Sequence, residues 1–85
     1  MSYKIKATFA EGVTLDELYQ MIAGMGIGPD NPAPGNISHE SHMENGRAVF
    51  IEEWESKAAF ETFISQRAFP AHEQAGLPTP IIEEI

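Results

Sequence analysis

Three side chains in the middle of the sequence combine acid–base chemistry with an apolar wall: His39, Glu52 and Trp54. A histidine can take up or release a proton near neutral pH, because its ordinary pKa lies close to 6.5. A glutamate such as Glu52 can act as a base where burial raises its pKa. Trp54, with Phe50 on the same strand, would provide an apolar wall for an aromatic ligand. The pattern predicts a cavity with catalytic candidates His39 and Glu52 and substrate-binding candidates Trp54 and Phe50.

A purely structural interpretation of the same residues stays open. Trp54 alone is explained by packing in the core, and His39 alone by a structural histidine whose hydrogen bonds are satisfied. The side chains of a strand alternate between two faces, so a register shift of one residue would separate His39 from Glu52. The strand register therefore decides between the two interpretations.

A metal site is disfavoured by the spacing of the histidines. His39 and His42 are three residues apart, which places them on opposite faces of a regular strand. Glu40, Glu44 and His72 are the other candidate ligands, but a site that used both strand histidines would need a bulge. The sequence contains neither a His-Glu-x-x-His motif nor a phosphate-binding glycine motif. We therefore expect no metal and no cofactor.

The composition excludes several classes of function. The 85 residues include 13 acidic and 5 basic ones, for a formal net charge of -8. Binding to nucleic acid or to an anionic membrane requires clustered Lys and Arg, and neither is expected here. No apolar run approaches the roughly 20 residues of a membrane-spanning helix, so we expect a cytoplasmic protein. The absence of cysteine excludes disulfides, and a chain this short then needs another source of stability, such as a partner subunit.

The elements that must position the candidate residues follow the order β-α-β-β-α-β. Asn45-Gly46 predicts a tight hairpin turn, because both central residues of a type I′ turn need positive φ. Thr14 and Glu17 form a capping box at the start of the first helix, and Pro70 is expected to end or kink the second. The predicted strands are 3–10, 36–44, 47–55 and 81–85, and the predicted loop is 26–35. The predicted helices are 14–25 and 57–67, and residues 71–75 are compatible with one further turn before Gly76. This order predicts one ferredoxin-like α+β domain over residues 1–85, with an antiparallel sheet and both helices on one face.

A sheet covered by helices on one face leaves its other face open. On the second hairpin strand, Val49 and Ile51 suit the helices, which assigns Phe50, Glu52 and Trp54 to the helix-free face. Large apolar side chains around one carboxylate predict that two sheets pack together in a homodimer, with a partly polar cavity between the helix-free face and the partner. The alternative is that Trp54 is a core residue and Phe50 an isolated exposed aromatic.

The step from strand to helix at residues 47–60 resembles that of the dimeric α+β barrel superfamily. Glu53-Trp54-Glu55-Ser56 followed by Lys57-Ala58-Ala59-Phe60 is close to its antibiotic-biosynthesis-monooxygenase-like members. Two further motifs are similar to those of small uncharacterised bacterial proteins of the group. They are Pro34-Gly35-Asn36-Ile37-Ser38-His39 at the entry to the second strand, and Gly76-Leu77-Pro78-Thr79-Pro80 before the last strand. Glu53 departs from the pattern, in which an aliphatic residue precedes the tryptophan.

The resemblance covers nearly the whole chain and implies the fold and a homodimer more strongly than any chemistry. It places Trp54 at or near the ligand cavity. Two hypotheses follow: a cofactor-independent, monooxygenase-like enzyme acting on a small hydrophobic or aromatic substrate, and a non-catalytic ligand-binding or structural homodimer. The fold alone does not decide between them.

Overall fold

The computed structural model describes residues 2–28 and 30–85, so Met1 and Pro29, which falls in the predicted loop 26–35, lie outside the described residues. The element order agrees with the predicted one, except that the second helical region is divided into three segments. The elements are β1 (Tyr3–Thr8), α1 (Leu15–Gly24), β2 (Asn36–Glu44), β3 (Arg47–Trp54), α2 (Lys57–Phe63), a π-helical segment (Ile64–Ala68), α3 (Phe69–Ala75) and β4 (Ile81–Glu84).

The four strands form one antiparallel sheet in the order β2-β3-β1-β4. This is the order of a ferredoxin-like sheet, so the predicted fold class is confirmed. Buried side chains of the helices, among them Leu18 and Phe60, share one hydrophobic cluster with Ile5 and Ala7 of β1. The core therefore lies between the helices and a single face of the sheet.

Two local predictions are confirmed by the backbone. Asn45 and Gly46 have φ angles of 52° and 78°, the positive values that a type I′ turn requires at both central positions. At the start of α1, the Glu17 amide donates to the Thr14 hydroxyl over 3.1 Å, and the Thr14 amide donates to the Glu17 carboxylate over 3.0 Å. These contacts form the expected capping box.

The helical region around Pro70 continues further than the predicted helix 57–67. The amide of Phe69 donates to the carbonyl of Ile64, five residues earlier, which is the hydrogen bond of a π-helix. This wider turn comes directly before Pro70, which has no amide hydrogen to donate. Helix α3 then runs to Ala75 and ends at Gly76, whose φ is 72°. The proline thus changes the helix period instead of ending the helix.

The strand register determines which β3 side chains face the helices. Glu52 lies opposite Ile5, and Trp54 lies opposite Tyr3. Because residues opposite each other share a face, the even-numbered side chains of β3, including Phe50, lie on the helix-covered face with the core of β1. Val49, Ile51 and Glu53 lie on the helix-free face.

The prediction that Phe50, Glu52 and Trp54 lie on the helix-free face is therefore wrong. The Trp54 ring lies 5.5 Å from that of Phe60 and 5.0 Å from that of Phe63, between their centroids. Both faces of β3 carry apolar residues and one glutamate, so alternation alone does not distinguish them. The aromatic side chains of α2 distinguish the two faces, because they pack on the face that carries the tryptophan.

Candidate functional site

A cavity of about 720 Å³ lies between the helices and the sheet, within one chain. This volume is typical of a small-molecule site. The four predicted site residues His39, Phe50, Glu52 and Trp54 all line it. The predicted position of the cavity, between the sheet and a partner subunit, is wrong because these side chains face the helices.

His39 and Glu52 lie directly opposite each other on β2 and β3. The Nδ1 atom of His39 is 2.7 Å from Oε2 of Glu52. The histidine side chain is 27% exposed and the glutamate side chain 14%. An ionised carboxylate can only accept hydrogen bonds, so Nδ1 is the donor. This pairing leaves Nε2 of the neutral imidazole as the atom that can take up a proton.

Trp54 holds the second oxygen of the same carboxylate. Its indole Nε1–H donates to Oε1 of Glu52 over 3.1 Å. The tryptophan is 1% exposed and belongs to the hydrophobic core. Trp54 is therefore a core residue, as the structural interpretation held, and it also lines the cavity and fixes the carboxylate that contacts His39.

Phe50 forms the apolar surface beneath the histidine. The centroids of the His39 and Phe50 rings are 4.5 Å apart, with the rings inclined at 69°. Phe50 is 5% exposed, and the ring of Phe9 meets it edge-on at 5.0 Å. The imidazole therefore rests on an aromatic wall that excludes water from one side of the ring.

Tyr19 is a member of the site that the sequence analysis missed. Its hydroxyl is hydrogen-bonded to Ser41 and lies 3.4 Å from Nε2 of His39. Tyr19 belongs to α1 and is 41% exposed, which places it at the open side of the cavity. A signal was available, because the spacing Leu15, Tyr19 and Ile22 puts the tyrosine beside the apolar stripe of α1.

His72 is the second residue whose position was not foreseen. The sequence suggests it only as a candidate metal ligand, yet it is 3% exposed and stacks on Phe9 with 5.7 Å between the ring centroids. Burial lowers the pKa of His72, and the nearby backbone of Pro78 and Leu77 offsets only part of that effect. His72 is therefore neutral at pH 7.

The register also separates the strand histidines as predicted. His42 lies opposite Val49, on the helix-free face, where its Nε2 is 3.1 Å from Glu44. Within residues 2–28 and 30–85, no three His, Asp or Glu side chains converge in a way that could hold a metal ion. The described helices include none that is long and apolar enough to cross a membrane.

Taken together, three hydrogen bonds and the longer contact between Tyr19 and His39 form a chain from Ser41 through Tyr19, His39 and Glu52 to Trp54. A carboxylate that orients a histidine produces a general base whose free nitrogen has a defined direction. The long contact between Nε2 and the tyrosine hydroxyl leaves this nitrogen available to a ligand. The arrangement can therefore bind an apolar molecule and remove a proton from it.

Comparison with known proteins finds similarity at the level of structure. No protein-family model and no curated protein sequence matches the chain. SnoaB from Streptomyces nogalater, a cofactor-independent oxygenase, superimposes with a TM-score of 0.69 at 20% identity, over 99% of this chain and 90% of that one. Rv0793 from Mycobacterium tuberculosis gives a TM-score of 0.68 at 18% identity, over 100% and 93% of the two chains. An antibiotic biosynthesis monooxygenase superimposes with a TM-score of 0.65 at 16% identity, over 100% of this chain and 96% of that one.

These likenesses extend over the whole described chain and over most of each neighbour. They agree with the resemblance noted in the sequence at the step from β3 to α2. The chain has the ferredoxin-like α+β fold of the antibiotic-biosynthesis-monooxygenase-like proteins.

Proposed function

We propose that the protein is a cofactor-independent, monooxygenase-like enzyme whose substrate is a small aromatic molecule with an acidic C–H or O–H group. One observation carries the proposal: the contact of 2.7 Å between His39 Nδ1 and Glu52 Oε2 at the wall of an apolar cavity. The structural likeness to SnoaB, a cofactor-independent oxygenase, supports the same class of reaction.

The reaction begins with proton transfer from the substrate to Nε2 of His39. The electron pair of the broken bond stays on the aromatic molecule, which becomes electron-rich enough to reduce dioxygen. Glu52 stabilises the imidazolium that forms, because its carboxylate lies beside Nδ1. Oxidation of a ring CH2 to a carbonyl consumes one O2 and releases one water, so the substrate supplies every electron.

The test uses anthrone, whose CH2 lies between two aromatic rings, and follows oxygen uptake together with the absorbance of anthraquinone. His39→Gln is expected to lower kcat/KM by about 100-fold, the range that a general base contributes. His42→Gln is the matched control, because His42 lies on the same strand but on the opposite face of the sheet. Equal rates in the wild type and His39→Gln would overturn the proposal.

The non-catalytic alternative makes a different prediction in the same experiment. A ligand-binding protein would bind anthrone in the cavity without accelerating its oxidation above the buffer rate. If anthrone binds against Phe50 and Trp54 but no oxygen is consumed, this alternative is favoured and His39 has no catalytic role.

We also propose that the protein is a homodimer joined through the helix-free face of the sheet. That face carries Ile51, which is half-buried, and Ile81 on β4, which is 64% exposed. The small core of an 85-residue chain favours such a partner. The large aromatic side chains that first suggested the dimer lie on the other face, so this aliphatic group now supports it.

A further inference from the structure

His72 is a buried polar side chain for which the proposed reaction has no use. It lies in the last turn of α3, which ends in a Schellman motif: the Gly76 amide donates to the Glu73 carbonyl over 3.2 Å, and the Leu77 amide to the His72 carbonyl over 2.9 Å. The backbone of this residue is therefore held firmly. Its imidazole lines the same cavity as His39.

The imidazole of His72 is incompletely hydrogen-bonded. Within the described part of the chain, its Nδ1 is the only fully buried side-chain nitrogen or oxygen that has no hydrogen-bond partner. Buried polar atoms in native proteins are nearly always paired, and an unpaired one calls for an explanation, such as a functional role or a bound water molecule. Among the described residues, no carboxylate contacts this ring, so it differs from His39, which Glu52 orients for proton transfer.

Aromatic side chains connect the two histidines along the cavity wall. The His39 ring is 4.5 Å from that of Phe50, the Phe50 ring 5.0 Å from that of Phe9, and the Phe9 ring 5.7 Å from that of His72. His39 comes from edge strand β2, whereas His72 comes from α3, beside the end of β1. An apolar ring system laid along this wall would meet one imidazole at each end.

We propose that His72 is a second polar anchor of the cavity and selects aromatic ligands that carry a hydroxyl group at the end remote from His39. A hydroxyl suits a neutral imidazole, because each group has one donor and one acceptor site. This inference rests on the proposed function for the site but not on the reaction: it concerns which ligand binds and in which orientation.

The test compares two probes that differ by one hydroxyl, 2-naphthol and naphthalene-2,6-diol, by calorimetric titration. The wild type is expected to bind the diol about tenfold more tightly, the upper range for one neutral hydrogen bond. In His72→Phe, which keeps an aromatic ring against Phe9, this ratio is expected to fall to about one. An unchanged ratio in this variant would overturn the proposal, as would failure of the wild type to bind the diol.

A second measurement does not depend on the variant folding. In the ¹⁵N-labelled wild type, the imidazole resonances of His72 are expected to shift on addition of the diol and to move much less with naphthalene, which has no hydroxyl. A purely structural histidine would respond equally to both probes, which would contradict the proposal.

The two proposals can fail separately. If His72→Phe loses the preference for the diol but His39→Gln oxidises anthrone at the normal rate, the proposed reaction is wrong and the proposed anchor stands. The reverse result, slow oxidation in His39→Gln with an unchanged diol preference in His72→Phe, would remove the anchor and leave the reaction.

Discussion

The indole of Trp54 donates a hydrogen bond to Oε1 of Glu52 over 3.1 Å, from a position two residues along the same strand and the same face of the sheet. The other oxygen of the carboxylate contacts His39, so both oxygens of Glu52 have a partner. A core residue thereby sets the orientation of the candidate base. Because Trp54 packs in the core and also holds Glu52, single substitutions at these two residues test both the stability of the fold and the chemistry of the site.

Glu52→Gln should slow the oxidation of anthrone by about 10- to 100-fold, while the cavity keeps its shape. The amide that replaces the carboxylate cannot stabilise an imidazolium, and it can present a donor to Nδ1 and thus favour the wrong tautomer. The measurement is kcat/KM by oxygen uptake. Glu53→Gln serves as the control, because Glu53 faces away from the cavity, and equal losses in the two variants would contradict the assignment.

Trp54→Phe should lower the free energy of unfolding by about 1–3 kcal/mol, the cost of leaving a buried acceptor unpaired together with a small loss of packing. Trp54→Ala should cost more, about 3–5 kcal/mol, since it opens a hole beside Phe60 and Phe63. Urea unfolding monitored by circular dichroism measures both values. A cost near zero for Trp54→Phe would show that the hydrogen bond to Glu52 contributes nothing.

Features of the fold that depend on neighbouring residues could be predicted from the sequence. The turn at Asn45-Gly46 and the capping box of Thr14 and Glu17 are determined within four residues, and both occur as expected. The order of elements followed from such local signals. The cross-strand contact between His39 and Glu52 needed the register, which the tight turn sets.

The face of the sheet that carries the site depended on distant contacts and was predicted wrongly. Nothing within β3 distinguishes Phe50 and Trp54 from Val49 and Ile51 as partners of the helices. Contacts with Phe60 and the other aromatic residues that follow in sequence determine which face of β3 packs against the helices. Tyr19 and His72 were missed for the same reason, because each reaches the cavity from a helix that no motif connects to β2.

Stability should fall in mild acid because of His72. Since burial lowers its pKa in the folded state, protonation favours the unfolded chain. The stabilising effect of the neutral form is complete above the unfolded value of about 6.5 and decreases as the pH falls below it, by at most about 1.4 kcal/mol per pH unit. Urea unfolding at pH 7 and pH 5.5 should therefore show a smaller loss in His72→Phe than in the wild type. Identical losses would contradict the expected titration.

Ile81→Glu should convert the proposed homodimer into a monomer without unfolding the chain. Ile81 is 64% exposed and lies opposite Thr8 on the helix-free face, so a charge there costs little in the single chain but would be buried between two sheets. The measurement is the solution mass from light scattering at micromolar concentration. Met43→Glu is the matched control, because Met43 is 52% exposed and lies opposite Ala48 on the helix-covered side, where it should leave the mass unchanged. A wild type that is already monomeric at this concentration would contradict the proposed dimer, and dissociation by both variants would contradict the choice of face.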